Sequence, residues 1–157
     1  MNALVKEHWN ETRRELPRID CILYADGRVT IMDYRRNLDS NTGDADWCCR
    51  PLCDTTIESI EKYEQDCWVV VDEWVNARVG YAGGFIIGGE GGFGGDGFIA
   101  HIDARGGLRW GFFFEQTNPI AGVELEGNML RAINEHSEIA VEIDLSQLAG
   151  VKISTIN

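Results

Sequence analysis

Five cysteines, three histidines and a glycine-rich stretch are the residues of this 157-residue chain whose types and spacing could do chemistry. Cys48, Cys49 and Cys53 stand closest together, with Cys21 and Cys67 on either side. Zinc ligands come as C-x2-4-C pairs with a second Cys or His pair further on, so that four donors can surround one ion. Here the next histidine is His101, and adjacent cysteines rarely turn toward one ion. The cluster therefore reads as small buried hydrophobes, and neither a metal nor a cofactor is expected. An odd cysteine count also favours reduced thiols over a disulfide framework.

Nucleophilic catalysis needs a Ser, Cys or Thr beside a base that a third group orients. His8 falls in the leading segment and His136 in a turn, which leaves His101 as the one candidate base, with Cys53 or Cys67 as partners. His101 shares its strand face with Ile99 and Asp103, so it reads as a half-exposed sheet histidine. A carboxylate pair for glycoside cleavage is easily drawn from 26 acids, and Asp96 with Glu115, near the ends of neighbouring strands, is the first pair to consider. The G-x-G-x-x-G pattern occurs twice, from Gly89 and from Gly92. Dinucleotide binding needs that motif between a strand and a helix, yet a strand pattern, Phe98 to Asp103, follows. The glycines from 80 to 97 accordingly read as a flexible loop. The residues point to no enzyme.

The elements that would position these residues are mostly strands. Ile19–Tyr24 and Val29–Tyr34 flank Asp26-Gly27, a hairpin turn that needs positive φ. A second hairpin joins Phe98–Asp103 to Leu108–Glu115, where Leu108, Trp110, Phe112 and Phe114 alternate on one face. Gly122–Glu126 and Met129–Asn134 flank Gly127-Asn128, and Glu138–Asp144 adds a further strand. Cys67 to Val71 reads as a buried strand, and residues 37–46 as an exposed polar loop. Thr55 with Glu58 forms a capping box that opens a short helix, with Ile57, Ile60 and Tyr63 inward and Glu58, Glu61 and Glu64 outward. Ala3 to Leu16 forms a short amphipathic helix or a leader that packs one aromatic. Connections this short require antiparallel pairing. The expected fold is mainly β (α+β): an antiparallel meander sheet or sandwich with one or two short helices, in a single domain over 1–157.

Charge narrows the function. With 14 basic residues the net charge is −12, which repels phosphate backbones and argues against nucleic acid. No stretch approaches the ~18 apolar residues of a membrane span. The opening residues lack the apolar core of a secretory signal, so a cytoplasmic protein is expected. Residues 54–76 and 115–144 each hold seven acids and one base, and carry the imbalance between them. If they lie side by side, they form an acidic face that would speed encounter with a basic partner.

The last half, roughly Gly83 to Asp144, resembles small bacterial immunity proteins that accompany polymorphic toxins, including those of contact-dependent growth inhibition. The resemblance is carried by Asp96-Gly97-Phe98-Ile99-Ala100, by Leu108 to Glu115, by Asn118-Pro119, and by Val123-Glu124-Leu125 with the strands after it. It implies a cytoplasmic protein without catalytic residues that neutralises one cognate toxin domain, commonly a nuclease. The contacts expected for a basic toxin domain are Asp39, Asp44 and Asp46 on the polar loop, Glu58, Glu61 and Glu64 on the helix, and Glu90 and Asp96 among the glycines, with Trp47 as an aromatic anchor. The alternative is a small β-rich hydrolase or carbohydrate-binding domain with the glycine-rich loop over its site. A third reading is a subunit that self-associates through exposed aromatics.

Overall fold

The computed structural model describes residues 1–38 and 45–156. In chain order the elements are α1 (Ala3–His8), β1 (Glu15–Pro17), β2 (Cys21–Tyr24), β3 (Arg28–Leu38), β4 (Ala45–Thr56), α2 (Ile57–Tyr63), β5 (Trp68–Val70) and β6 (Asp72–Tyr81). There follow β7 (Gly84–Glu90), β8 (Gly97–Ile102), β9 (Leu108–Phe114), β10 (Ile120–Glu126), β11 (Met129–Asn134), β12 (Ile139–Asp144) and β13 (Val151–Thr155). Among the described residues the protein is mainly β with two short α-helices, and every strand pair is antiparallel.

Three layers result. A seven-stranded sheet in the order β4-β3-β2-β9-β8-β7-β6 is the middle one. The four-stranded meander β10-β11-β12-β13 covers one of its faces. The core between these two sheets includes Ile22, Met32, Ile86, Ile99, Phe112, Phe114, Leu130 and Val141. The other face carries α1, α2 and the β1–β5 ribbon, over Val5, Trp9, Leu16, Leu23, Ile57, Phe98 and Phe113. At the centre of the large sheet both faces are therefore buried, which is why Leu108 to Phe114 is apolar almost throughout. Phe112 and Phe113 are each fully buried on opposite faces, a burial that stabilises by about 1.5–3 kcal/mol per side chain.

Several hairpins fall where turn chemistry places them. Gly27 has φ of +91°, in the region that glycine enters without strain. The 98–115 hairpin forms too, but its bulge shifts the register between His101/Trp110 and Ile102/Leu108. Trp110, Phe112 and Phe114 share the inner face as expected, whereas the bulge turns Leu108 to the opposite core.

Other expectations are corrected. The glycine-rich segment is largely strand, since the end of β6, β7 and the start of β8 are paired ladder, and it leaves the ladder at the tight turn of residues 82–83 and the loop of residues 91–96. The glycines of β7 serve close approach. A Cβ on Gly89 would collide with the Asp72 carbonyl oxygen, and one on Gly88 would lie 2.8 Å from Ile120 of the covering sheet. The run from Cys67 to Val71 does contain a strand, with Cys67, Val69 and Val71 buried, but it is buried on one side and not throughout. It yields the short β5, which pairs only with β1 and leaves Val70 exposed. The capping residue of α2 is Thr56, not Thr55, because β4 runs on through Thr56. Its hydroxyl accepts from the Ser59 N–H at 3.2 Å. Part of the expected 37–46 loop is ladder, with Asn37 opposite Asp46 and Leu38 opposite Ala45. The leading segment divides between the two alternatives: the helix covers only Ala3–His8, Trp9 packs fully behind it, and Glu15–Pro17, instead of continuing the helix toward the proline, forms β1.

Candidate functional site

Two places on the molecule gather groups able to bind or react. The first is the corner formed by α2. Ile57 is buried at its start and fixes the helix on the large sheet, while the Thr56 cap and acidic Glu58 suit its N-terminal end. Glu58 accepts from the Asn2 amide at 2.5 Å and remains exposed. Glu61 turns the other way: it accepts from the Trp68 indole N–H at 2.8 Å and lies 3.7 Å from Nε2 of His8. Glu64 ends the helix and is exposed. Tyr63, expected inward, is 83% exposed at the last position of the helix. Beside it a shallow groove of about 350 Å³ is lined by Ile19, Ile31, Thr55, Ser59, Ile60, Tyr63 and Glu64.

The second place is the end of the central strands. Phe114 pairs with Gly97, so Glu115 and Asp96 follow and precede neighbouring strand ends. Asp20 enters β2 on the other side of β9 and accepts from the Glu115 N–H at 2.8 Å. Burial, with Glu115 and Asp96 as negative neighbours, pushes the Asp20 carboxyl up to about 7, against the downward pull of the Glu115 amide. Asp96 is buried beneath the 91–96 loop, and its Oδ2 has no hydrogen-bond partner. Burial raises its pKa, while the Phe93 amide and the Arg18 charge pull it down. The Arg18 guanidinium in turn lies 4.6 Å from the centre of the Phe93 ring, which holds the loop to the β1 side. The pair Asp96 and Glu115 was legible as strand ends; Asp20 carried no local signal.

The remaining expected contacts do not share one surface. Asp39 and Asp44 lie outside the described residues, and Asp46 is placed only by its register opposite Asn37. Trp47 is occupied within the fold: it stacks on Tyr34 at 5.5 Å and donates to the Thr155 hydroxyl at 3.0 Å, so that it ties β4 to β13. Glu90 ends β7, paired with Asp72 and Gly97. Asp96, being buried, is no surface contact. The two acidic segments meet in part: Ile57, Val69 and Val71 of the first belong to one core and Leu130, Val141 and Ile143 of the second to the other, so the α2 corner faces away from the meander, whereas β6, with Asp72 and Glu73, packs beside β10, which carries Glu124 and Glu126.

The cysteines and His101 are placed as well. Cys53 is exposed on β4, Cys48 and Cys49 are half-buried, and Cys21 and Cys67 are buried. The expectation of three small buried hydrophobes at 48, 49 and 53 thus fails, because β4 is the edge of its sheet. Burial raises the thiol pKa of Cys21, Cys49 and Cys67, the last to about 11, so these three are not poised thiolates. His101 is buried rather than half-exposed, packed between Tyr81 at 5.0 Å and Trp110 at 5.8 Å. Its strand stands four strands from Cys53, roughly 19 Å at the usual spacing, so that pair is too far apart to react. Among the described residues no group of three or more His, Cys, Asp or Glu could hold a metal, and no helix is long and apolar enough to cross a membrane.

Comparison with known proteins adds no relative. No family model, curated protein or solved structure matches this chain.

Proposed function

We propose that the protein is an immunity factor: a non-enzymatic binder that neutralises a cognate basic toxin domain, foremost a nuclease, in the bacterial cytoplasm. The observation that carries this reading is the α2 corner, where exposed Tyr63 and Glu64 line an apolar groove and exposed Glu58 stands on the same helix. Segment 54–66 holds five acids and a single base, Lys62. A nuclease must present cations to hold phosphate, so a carboxylate-rich corner complements it and can mask it. Exposed Tyr63 supplies the type of side chain that anchors interfaces.

The test is capture with the tagged chain from its native strain, followed by co-expression. Recovery of a cationic, toxic domain whose growth arrest the chain relieves supports the reading. Recovery of neutral or acidic partners only, with no relief of toxicity, overturns it.

The hydrolase or carbohydrate-binding alternative has one specific observation in its favour. Asp20, with a pKa near 7, adjoins Glu115 below the 91–96 loop, and a carboxyl so tuned suits a general acid. Hydrolysis of a glycan panel that Asp20→Asn abolishes would favour it over the binder.

A further inference from the structure

We propose that the groove between α2 and the outer side of β3 seats a cationic amphipathic segment of the protein partner, with a bulky apolar side chain over Ile19, Ile31 and Ile60 and lysine or arginine against Glu64. This rests on the reading that the partner is a basic protein, and it assigns the place and the chemistry of contact.

The groove is apolar at its floor and charged at its lip. Ile19, Ile31 and Ile60 are half-buried and pack against the core below. Glu64 is the charged residue of the lining, and Tyr63 rises beside it. Lys62 is the one base of the segment, and on the continuing β3–β4 hairpin Arg35 and Arg50 are taken up by Asp33 at 3.1 and 3.5 Å. Truncating a side chain that is 83% exposed costs the fold little, so Tyr63 is free to serve a contact.

Charge decides among occupants. A second copy would bring the same acidic lip against itself, and like charges repel across an interface. An anionic membrane surface would be repelled for the same reason. A small apolar ligand would stay largely exposed in so shallow a depression, whereas small-molecule sites bury most of their ligand. A cationic segment with one apolar side chain satisfies both floor and lip.

The probe is a short synthetic lysine–leucine peptide, with lysine–serine and glutamate–leucine peptides as controls, read by isoleucine methyl NMR on the full chain. The expected result is that the lysine–leucine peptide alone shifts Ile19, Ile31 and Ile60. Tyr63→Ala and Glu64→Lys should each weaken it about tenfold or more without changing the melting temperature. Equal binding of the lysine–serine peptide, shifts elsewhere on the chain, or full affinity in Tyr63→Ala overturns the proposal. The two readings then separate. A cationic toxin domain captured equally by the parent and the Tyr63→Ala/Glu64→Lys variant sinks the groove and leaves neutralisation standing. A peptide seated in the groove, with no cationic domain captured, does the reverse.

Discussion

Asp20 is held where its carboxylate is poorly solvated and has Glu115 and Asp96 as neighbours, so the folded chain favours its protonated form. Its folded pKa of about 7 stands above the ordinary 3.8. The group therefore contributes stability that is fully present below 3.8 and is lost as pH rises through about 7. Asp20→Asn keeps an oxygen for the Glu115 amide and cannot ionise. In urea titrations its gain on the parent should be larger at about pH 8 than at about pH 5 and should vanish at about pH 3; the same difference at all three would show a purely structural role. His101 works with the opposite sign. Burial holds its imidazole neutral and its pKa below the ordinary 6.5, so its contribution is present above that value and is lost as pH falls through it. Replacement by Phe should flatten the acid side of the stability profile, and an unchanged slope would place that titration elsewhere. At this scale the sequence named Asp96, Glu115 and His101 as residues to consider, because strand parity and strand ends are local properties. Asp20 escaped because its partner lies 95 residues away.

At the scale of elements, β7 was the least legible part of the chain. Glycine weakens a strand by entropy and offers no side chain to pack, so a run of glycines reads as a loop. In the fold those positions are where other backbone and side chains come closest, and the ladder to β8 holds them. Gly89→Ala should therefore destabilise by about 3 kcal/mol, at the upper end of overpacking costs, since a carbonyl of β6 stands where the methyl would go. Chemical denaturation measures this, and a loss no larger than that of Gly80→Ala, where a Cβ meets nothing, would refute it. The hairpins at Gly27 and Gly127 were legible because positive φ at a tight turn is a demand on one or two residues. The α2 helix was legible in kind, yet its cap moved by one residue and Tyr63 turned outward. Ladder pairing of Thr55 with Val29, a contact no local pattern encodes, set the point at which β4 gives way to helix.

For the molecule as a whole the open question is how a net charge of −12 is spent. The large sheet separates α2 from the β10–β13 meander, while β6 and β10 bring the ends of the two acidic segments together, so long-range attraction acts through the α2 corner or through the side where β6 adjoins the meander. If α2 is that corner, charge reversal at Glu58 and Glu64 should slow association with the basic partner at low salt, and the difference should shrink as salt rises. Stopped-flow mixing reads this; unaltered association at low ionic strength would move the contact to the other side. Glu61 is not a suitable reversal, since it carries the Trp68 and His8 contacts. What the sequence determined by itself was the β class, the antiparallel pairing, most hairpins and the sign of the surface, because alternation, turn chemistry and charge are set by residues near in the chain. The tertiary structure alone decided which acids share a surface, which are buried, and that Asp20 meets Glu115. Those outcomes depend on how strands remote in sequence line up within one sheet, and on which side of it each remaining element comes to rest.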